Sequence, residues 1–363
     1  MSLYKSLVKP LLFRCDPEWV HNRTLDLGSL LGSMRLSRAL LHSIFAYENE
    51  RLISRVAGID FANPIGMAAG FDKNGRAIRA LSALGFGFVE IGSVSAYASD
   101  GNARPRLFRL PLDEAIVVNY GVPNDGAEAV AQRISTEPTA APLGVNIVET
   151  NTGEAPLGDE VLVEFVQAVR PFCVRADYIT LNLNCPNTTA GKSPFDDAGL
   201  LRALMQQYAE IEDLPPLFLK FTAHADGARM EAMLSAVEGC NFVKGFVFNI
   251  PPGKDYPLRS PRSITDAMPG TLCGPPTQIL LDEALAFWFR NIDRAHHVLI
   301  GSGGVRTADD AYRKICLGAS LVQLYTALVY QGPGLVQQIN NGLVELLERD
   351  GFNNIAEAVG AKI

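Results

Sequence analysis

The residues best suited to chemistry stand together at the end of one short apolar run, Tyr178-Ile179-Thr180-Leu181-Asn182-Leu183-Asn184-Cys185-Pro186-Asn187-Thr188. The run begins as a β-branched, apolar strand of the kind buried on both faces. It then turns abruptly into amides, a thiol and a proline, so its C-terminal end delivers polar groups to one rim of a sheet. Asn182 and Asn187 each offer a carbonyl acceptor and two N–H donors without net charge, which suits a planar, imide-like ligand edge. Cys185 stands between them, and an accessible thiolate there can take a proton from carbon. Pro186 has no N–H and fixes the turn behind the thiol.

Other stretches supply what such a site needs. In Ala68-Ala69-Gly70-Phe71-Asp72-Lys73-Asn74-Gly75, small residues let a flat ring approach the backbone, and Lys73 places a cation beside it. Gly301-Ser302-Gly303-Gly304-Val305 and Tyr325-Thr326 each follow an apolar run near the C-terminus. Bare glycine N–H groups form anion holes, and phosphate sites in the loops after the last two strands recur in α/β barrels. With Lys220 at the end of another run, these residues suggest a phosphorylated flat cofactor lying across a barrel mouth. Flavin mononucleotide (FMN) fits that description; it would carry redox chemistry while the protein positions it.

The elements that must position these residues follow from the alternation of apolar runs with helical stretches, the pattern of parallel βαβ units. Eight runs read as strands: Ile65–Met67, Phe88–Ile91, Leu143–Ile147, Tyr178–Leu183, Leu217–Phe221, Gly245–Asn249, Val298–Gly301 and Leu321–Leu324. Their number and spacing predict an α/β protein, a (β/α)8 TIM barrel over residues 46–363. Two connections, Ser95 to Asn119 and Ile250 to about Thr277, are long and rich in proline and glycine, and read as excursions over the mouth. Residues 1–45 have a different texture. Tyr4, Leu7, Val8, Leu11 and Leu12 recur at helical spacing, and Asp16-Pro17 reads as an N-cap and first helical position. Such a short amphipathic, basic extension either packs on the barrel or lies in a membrane interface.

Composition narrows the function classes. Lys and Arg number 32 against 39 Asp and Glu, a net charge of −7, which argues against a nucleic-acid partner. Six scattered cysteines without a CxxC pair suggest thiols in a reducing compartment. Five histidines show no metal-ligand spacing, so no metal is expected. No apolar run reaches the roughly 18 residues of a membrane span, and no signal peptide is visible.

Several motifs, in order, closely resemble the dihydroorotate dehydrogenase family: Asn63-Pro64-Ile65-Gly66-Met67-Ala68-Ala69-Gly70-Phe71-Asp72-Lys73-Asn74-Gly75, Arg104 to Leu110, Asn182 to Thr188 and Gly318 to Tyr325. Leu12 to His21 resembles the N-terminal extension of the quinone-linked branch. The resemblance implies FMN-dependent oxidation of dihydroorotate to orotate in pyrimidine biosynthesis, with electrons passed to quinone by a peripheral protein at the cytoplasmic face of the inner membrane. By position it implies FMN contacts from Ala69, Gly70, Lys73, Ser93, Asn146, Asn182, Lys220, Gly274, Gly303, Gly304, Tyr325 and Thr326. Orotate would meet Lys73, Asn119, Asn182, Asn187 and Asn249. Cys185 falls on the catalytic base, and His21 and Arg106 on the quinone tunnel.

The departures from that pattern concern substrate and electron acceptor. The base is a cysteine, as in the soluble branch, where the quinone-linked branch has serine. Asn119-Tyr120-Gly121-Val122-Pro123-Asn124 is one residue shorter than in either branch. Glu149 replaces a lysine, Ile250 a hydroxyl residue, Phe248 a threonine and Pro275 an arginine. These changes leave two alternatives open: an FMN oxidoreductase acting on another small cyclic amide, or a dihydroorotate dehydrogenase using fumarate or another acceptor.

Overall fold

A computed structural model of the chain describes residues 3–134, 139–154, 158–185 and 194–363. Among the described residues, strands form a closed parallel barrel of eight, a three-stranded antiparallel sheet and a two-stranded hairpin. The barrel strands are Ile65–Met67, Phe88–Val94, Leu143–Ile147, Tyr178–Asn182, Leu217–Thr222, Val243–Asn249, Val298–Gly301 and Ala319–Leu324. Each expected strand is present, with ends shifted by at most a few residues, and neighbours in sequence are neighbours in the barrel.

Side chains alternate along each strand, and that period builds the barrel in layers. Outward residues such as Val89, Ile91, Ile179, Leu219, Phe246 and Val322 join the large apolar core under the helices. Inward, the lowest layer is apolar, made of Phe88, Tyr178, Phe218, Val247, Ile300 and Leu321. Gly66 and Gly144 make room for it; a Cβ on either would lie within 2.2 Å of the Phe88 ring and 2.1 Å of the Tyr178 ring, respectively. The hairpin Ser54–Val56 and Ile59–Phe61 closes this end, with Val56 and Phe61 packed on the same cluster. One layer up, the inward positions become polar: Glu90, Thr180 and Gln323 are all buried. The layer above them forms the mouth.

Both long connections carry strands that the glycine and proline content concealed. Leu107–Leu110 and Ala115–Val118 form a hairpin, and Thr271–Cys273 pairs with Ala115–Val118. The resulting sheet roofs one side of the mouth. The N-terminal residues form the helical segments Tyr4–Val8, Lys9–Leu12, Pro17–Ser33 and Arg35–Phe45. Asp16 caps the third of these, its carboxylate accepting from the Trp19 N–H at 2.8 Å, as Asp-Pro predicts. The last, Arg35–Phe45, was not apparent from the residue pattern. No described helix is long and apolar enough to cross a membrane.

Candidate active site

At the centre of the barrel lies Glu90, fully buried. Its Oε2 accepts from Gln323 Nε2 at 2.7 Å, Thr180 Oγ1 at 3.0 Å and the Tyr178 hydroxyl at 3.2 Å, while Oε1 accepts from Asn146 Nδ2 at 2.9 Å. The chain of hydrogen bonds then climbs to the mouth. Asn146 Oδ1 accepts from Ser93 Oγ, which accepts from Asn182 Nδ2 at 3.2 Å; Asn182 Oδ1 accepts from Asn249 Nδ2 at 2.6 Å. Asn249 also donates to the Asn184 carbonyl at 2.6 Å, next to Cys185. A buried carboxylate with four donors therefore orients the amides on which a ligand would rest.

The mouth is a cavity of about 210 Å³. It is lined by Ala69, Gly70, Lys73, Ser93, Asn182, Cys185, Lys220, Asn249, Gly274, Gly303, Gly304, Tyr325 and Thr326. The structure thus brings together most of the residues singled out from the sequence. Asn146 stands one hydrogen bond behind Ser93 rather than on the wall. Asn119 does not line the mouth; its side-chain oxygen accepts from Asn102 at 3.2 Å. Asn187 lies outside the described residues. Ile250, Phe248 and Pro275 line the cavity, whereas Glu149 is buried away from it. Also on the wall are Cys273, Tyr120 and Gln323, which the sequence reading passed over.

Charge at the mouth is set by burial. Lys73 donates to the Gly70 carbonyl at 2.8 Å and lies 3.8 Å from the Tyr120 ring centroid. Desolvation, helped by the nearby Arg106 guanidinium, lowers its ammonium to about 8. Burial pushes the Cys273 thiol up to about 12, with Lys220 opposing it and Cys185 adding to it. Cys273 is thus protonated at neutral pH. Gln323 has a buried Oε1 without a partner, an acceptor waiting at the base of the cavity. Uncharged amides, two lysines and glycines at φ +80° and +76° (Gly303 and Gly304) form a donor set that fits a flavin with its phosphate.

Two further cavities flank the mouth. An apolar one of about 730 Å³ runs between the N-terminal helices and the barrel, and Phe71, Tyr325 and His21 lie on it. A polar one of about 400 Å³ is lined by Glu18, His21, Lys73, Arg106 and Tyr120. His21 is common to both. Burial, with Lys73 nearby, lowers its imidazole to about 3, so the ring is neutral; it packs edge-on against Phe71 at 5.1 Å. Arg106 does not line the apolar cavity. It is buried against Glu18, Nη2 to Oε1 2.9 Å, and donates to the Asp100 and Asn102 carbonyls. Arg109 lines that cavity instead, donating to the Leu12 carbonyl at 3.0 Å and stacking on Phe13 at 4.5 Å. In Arg104-Pro105-Arg106-Leu107-Phe108-Arg109, Arg106 and Arg109 are an odd number of residues apart, so a strand turns them to opposite faces.

Comparison with known proteins agrees with this geometry. A family model described as dihydroorotate dehydrogenase matches residues 51–347. A Nostoc punctiforme protein named dihydroorotate dehydrogenase (quinone) is 36% identical over 380 residues, covering 100% of this chain and 99% of its own. A Halobacterium salinarum protein of the same name is 38% identical over 361 residues, covering 98% and 99%. Among solved structures, the ligand-free Eimeria tenella DHODH superposes with a TM-score of 0.79 at 25% identity, covering 95% of this chain and 99% of that one. The same organism's DHODH in complex with ferulenol gives 0.76 at 25% identity, with 95% of each chain covered.

Proposed function

The chain belongs to the dihydroorotate dehydrogenase family, and from that premise we propose that it oxidises dihydroorotate to orotate with FMN and delivers the electrons to a quinone. The observation that carries this reading is the meeting of Lys73, Asn182, Cys185, Lys220 and Asn249 in one mouth cavity, with an apolar cavity beside it. Bound FMN would supply the acceptor for the hydride that leaves the substrate ring. Gly303, Gly304 and Thr326 would hold its phosphate, and Ser93, Asn182, Lys220 and Gln323 its ring edge. Cys185 is the base that removes the proton from the neighbouring ring carbon. Lys73 faces the substrate's carboxylate, and the Asn182–Asn249 pair meets its amide edge.

His21 and Arg109 present polar groups at the apolar cavity, which we take as the quinone's approach. Residues 1–45 serve that approach and 46–363 the chemistry. Leu7, Leu11, Trp19, Leu30, Leu36 and Leu40 on the N-terminal helices are exposed by more than half. An apolar outer face with Lys5, Arg35 and Arg38 near it suits peripheral binding at the cytoplasmic face of the inner membrane. Deleting residues 1–45 is expected to leave flavin reduction by dihydroorotate intact and to abolish reoxidation by quinone. A truncated protein that still reduces quinone at the full rate would remove the extension from the electron path. A second reading, another small cyclic amide as substrate, draws on Phe248 and Ile250 at the mouth.

A further inference from the structure

The chain leaves the strand Ala115–Val118 through Asn119 and Tyr120, and the sheet decides which of the two faces the mouth. Side chains alternate along the strand. Val118 and Tyr120 therefore share one face with Thr271 and Cys273, and all four line the mouth. Asn119 falls on the other face, where Asn102 Nδ2 donates to its carbonyl at 3.1 Å and to its Oδ1 at 3.2 Å. Its N–H continues the pairing, donating to the Arg106 carbonyl at 2.8 Å. Turning the Asn119 amide into the mouth would require breaking this register.

We propose that Tyr120, in place of Asn119, is the residue of this loop that contacts the substrate, its hydroxyl donating a hydrogen bond beside Lys73. Tyr120 is only 6% exposed, and its hydroxyl is buried without a partner. A buried hydroxyl left unpaired is costly, and a bound ligand with an acceptor there removes the cost. The ring is held against the Lys73 ammonium at 3.8 Å and the Arg106 guanidinium at 5.4 Å. It is thus fixed at the point where the mouth and the polar cavity meet, since Tyr120 and Lys73 line both. Burial keeps the phenol protonated, so it acts as a donor throughout the working pH range. A donor and a cation side by side select a substrate with an anionic or carbonyl acceptor at that end of the ring.

This inference rests on the dihydroorotate reading, and orotate affinity tests the two separately. Calorimetric titration of orotate into the FMN-loaded full chain is compared with Tyr120→Phe and Asn119→Ala, flavin content being measured for each. Tyr120→Phe keeps the ring on Lys73 and removes only the hydroxyl; it is expected to weaken orotate binding about tenfold or more, as for a hydrogen bond to a charged group. Asn119→Ala is expected to stay within about twofold. A parent chain that binds orotate, with Tyr120→Phe unchanged or Asn119→Ala the weaker binder, overturns the inference alone. A flavin-loaded parent chain that does not bind orotate overturns the substrate reading and this inference with it.

Discussion

Replacing Glu90 should damage the protein from the middle of the barrel outward. Leucine there would strand four buried donors: Asn146 Nδ2, the Tyr178 hydroxyl, Thr180 Oγ1 and Gln323 Nε2. Each donor left without an acceptor costs about 1–3 kcal/mol, and removing a buried carboxylate returns part of that sum. A net loss of about 3 kcal/mol or more is expected, a large share of a domain's stability. Glu90→Gln is milder in stability and more specific in effect. Oε2 serves three donors and Oε1 one, so the new carboxamide keeps its oxygen towards the three and turns its NH2 to Asn146. Asn146 must then flip, presenting a donor to Ser93, and the change passes to Asn182 in the mouth. Urea denaturation of the apoprotein should place Glu90→Leu well below the parent and Glu90→Gln about 1–3 kcal/mol below it. FMN titration should show Glu90→Gln weakened although residue 90 does not line the mouth. Parental stability in Glu90→Leu would refute the network argument.

Cys185→Ala should slow flavin reduction by dihydroorotate about 10²–10⁴-fold, the usual range for loss of a general base, with FMN still bound; stopped-flow absorbance checks this. Cys185→Ser should keep part of the rate and require higher pH. Lys73 bears on pH dependence in two directions. Its ammonium deprotonates near 8 in the folded chain, so orotate affinity should fall above that pH, by roughly tenfold between pH 7 and 9 if the charge is required. For stability the sign is opposite. The unfolded chain keeps this proton up to the ordinary lysine value of 10.5, so folding gains as pH rises from about 8 towards 10.5. Denaturation midpoints of the parent and Lys73→Met across that interval measure the contribution.

The barrel was legible because both of its signals are local. Each strand is an apolar run, and most runs end in glycine, asparagine, lysine or serine at the rim, as in Asn182 and Lys220. The roof sheet was not, because its strands are three or four residues long and lie among glycines and prolines that read as loop. That sheet decides which side of Asn119-Tyr120 faces the mouth, and it puts Tyr120 on the wall where the motif had pointed to Asn119. Arg106 and Arg109 make the same point: both stand in one motif, and strand alternation puts only Arg109 on the wall of the apolar cavity. Glu90 had a signal that went unused, a carboxylate inside Phe88-Val89-Glu90-Ile91. A charge in an apolar strand demands partners, and those come from three other strands that no local pattern connects.

In the proposed reaction dihydroorotate gives its hydride to a flavin held in this mouth. Anaerobic mixing of the FMN-loaded protein with dihydroorotate, followed by flavin absorbance, tests it most directly. The oxidised flavin band is expected to bleach, with orotate formed in equal amount to the flavin reduced. A flavin that stays oxidised with dihydroorotate, yet is bleached by another cyclic amide, would contradict it.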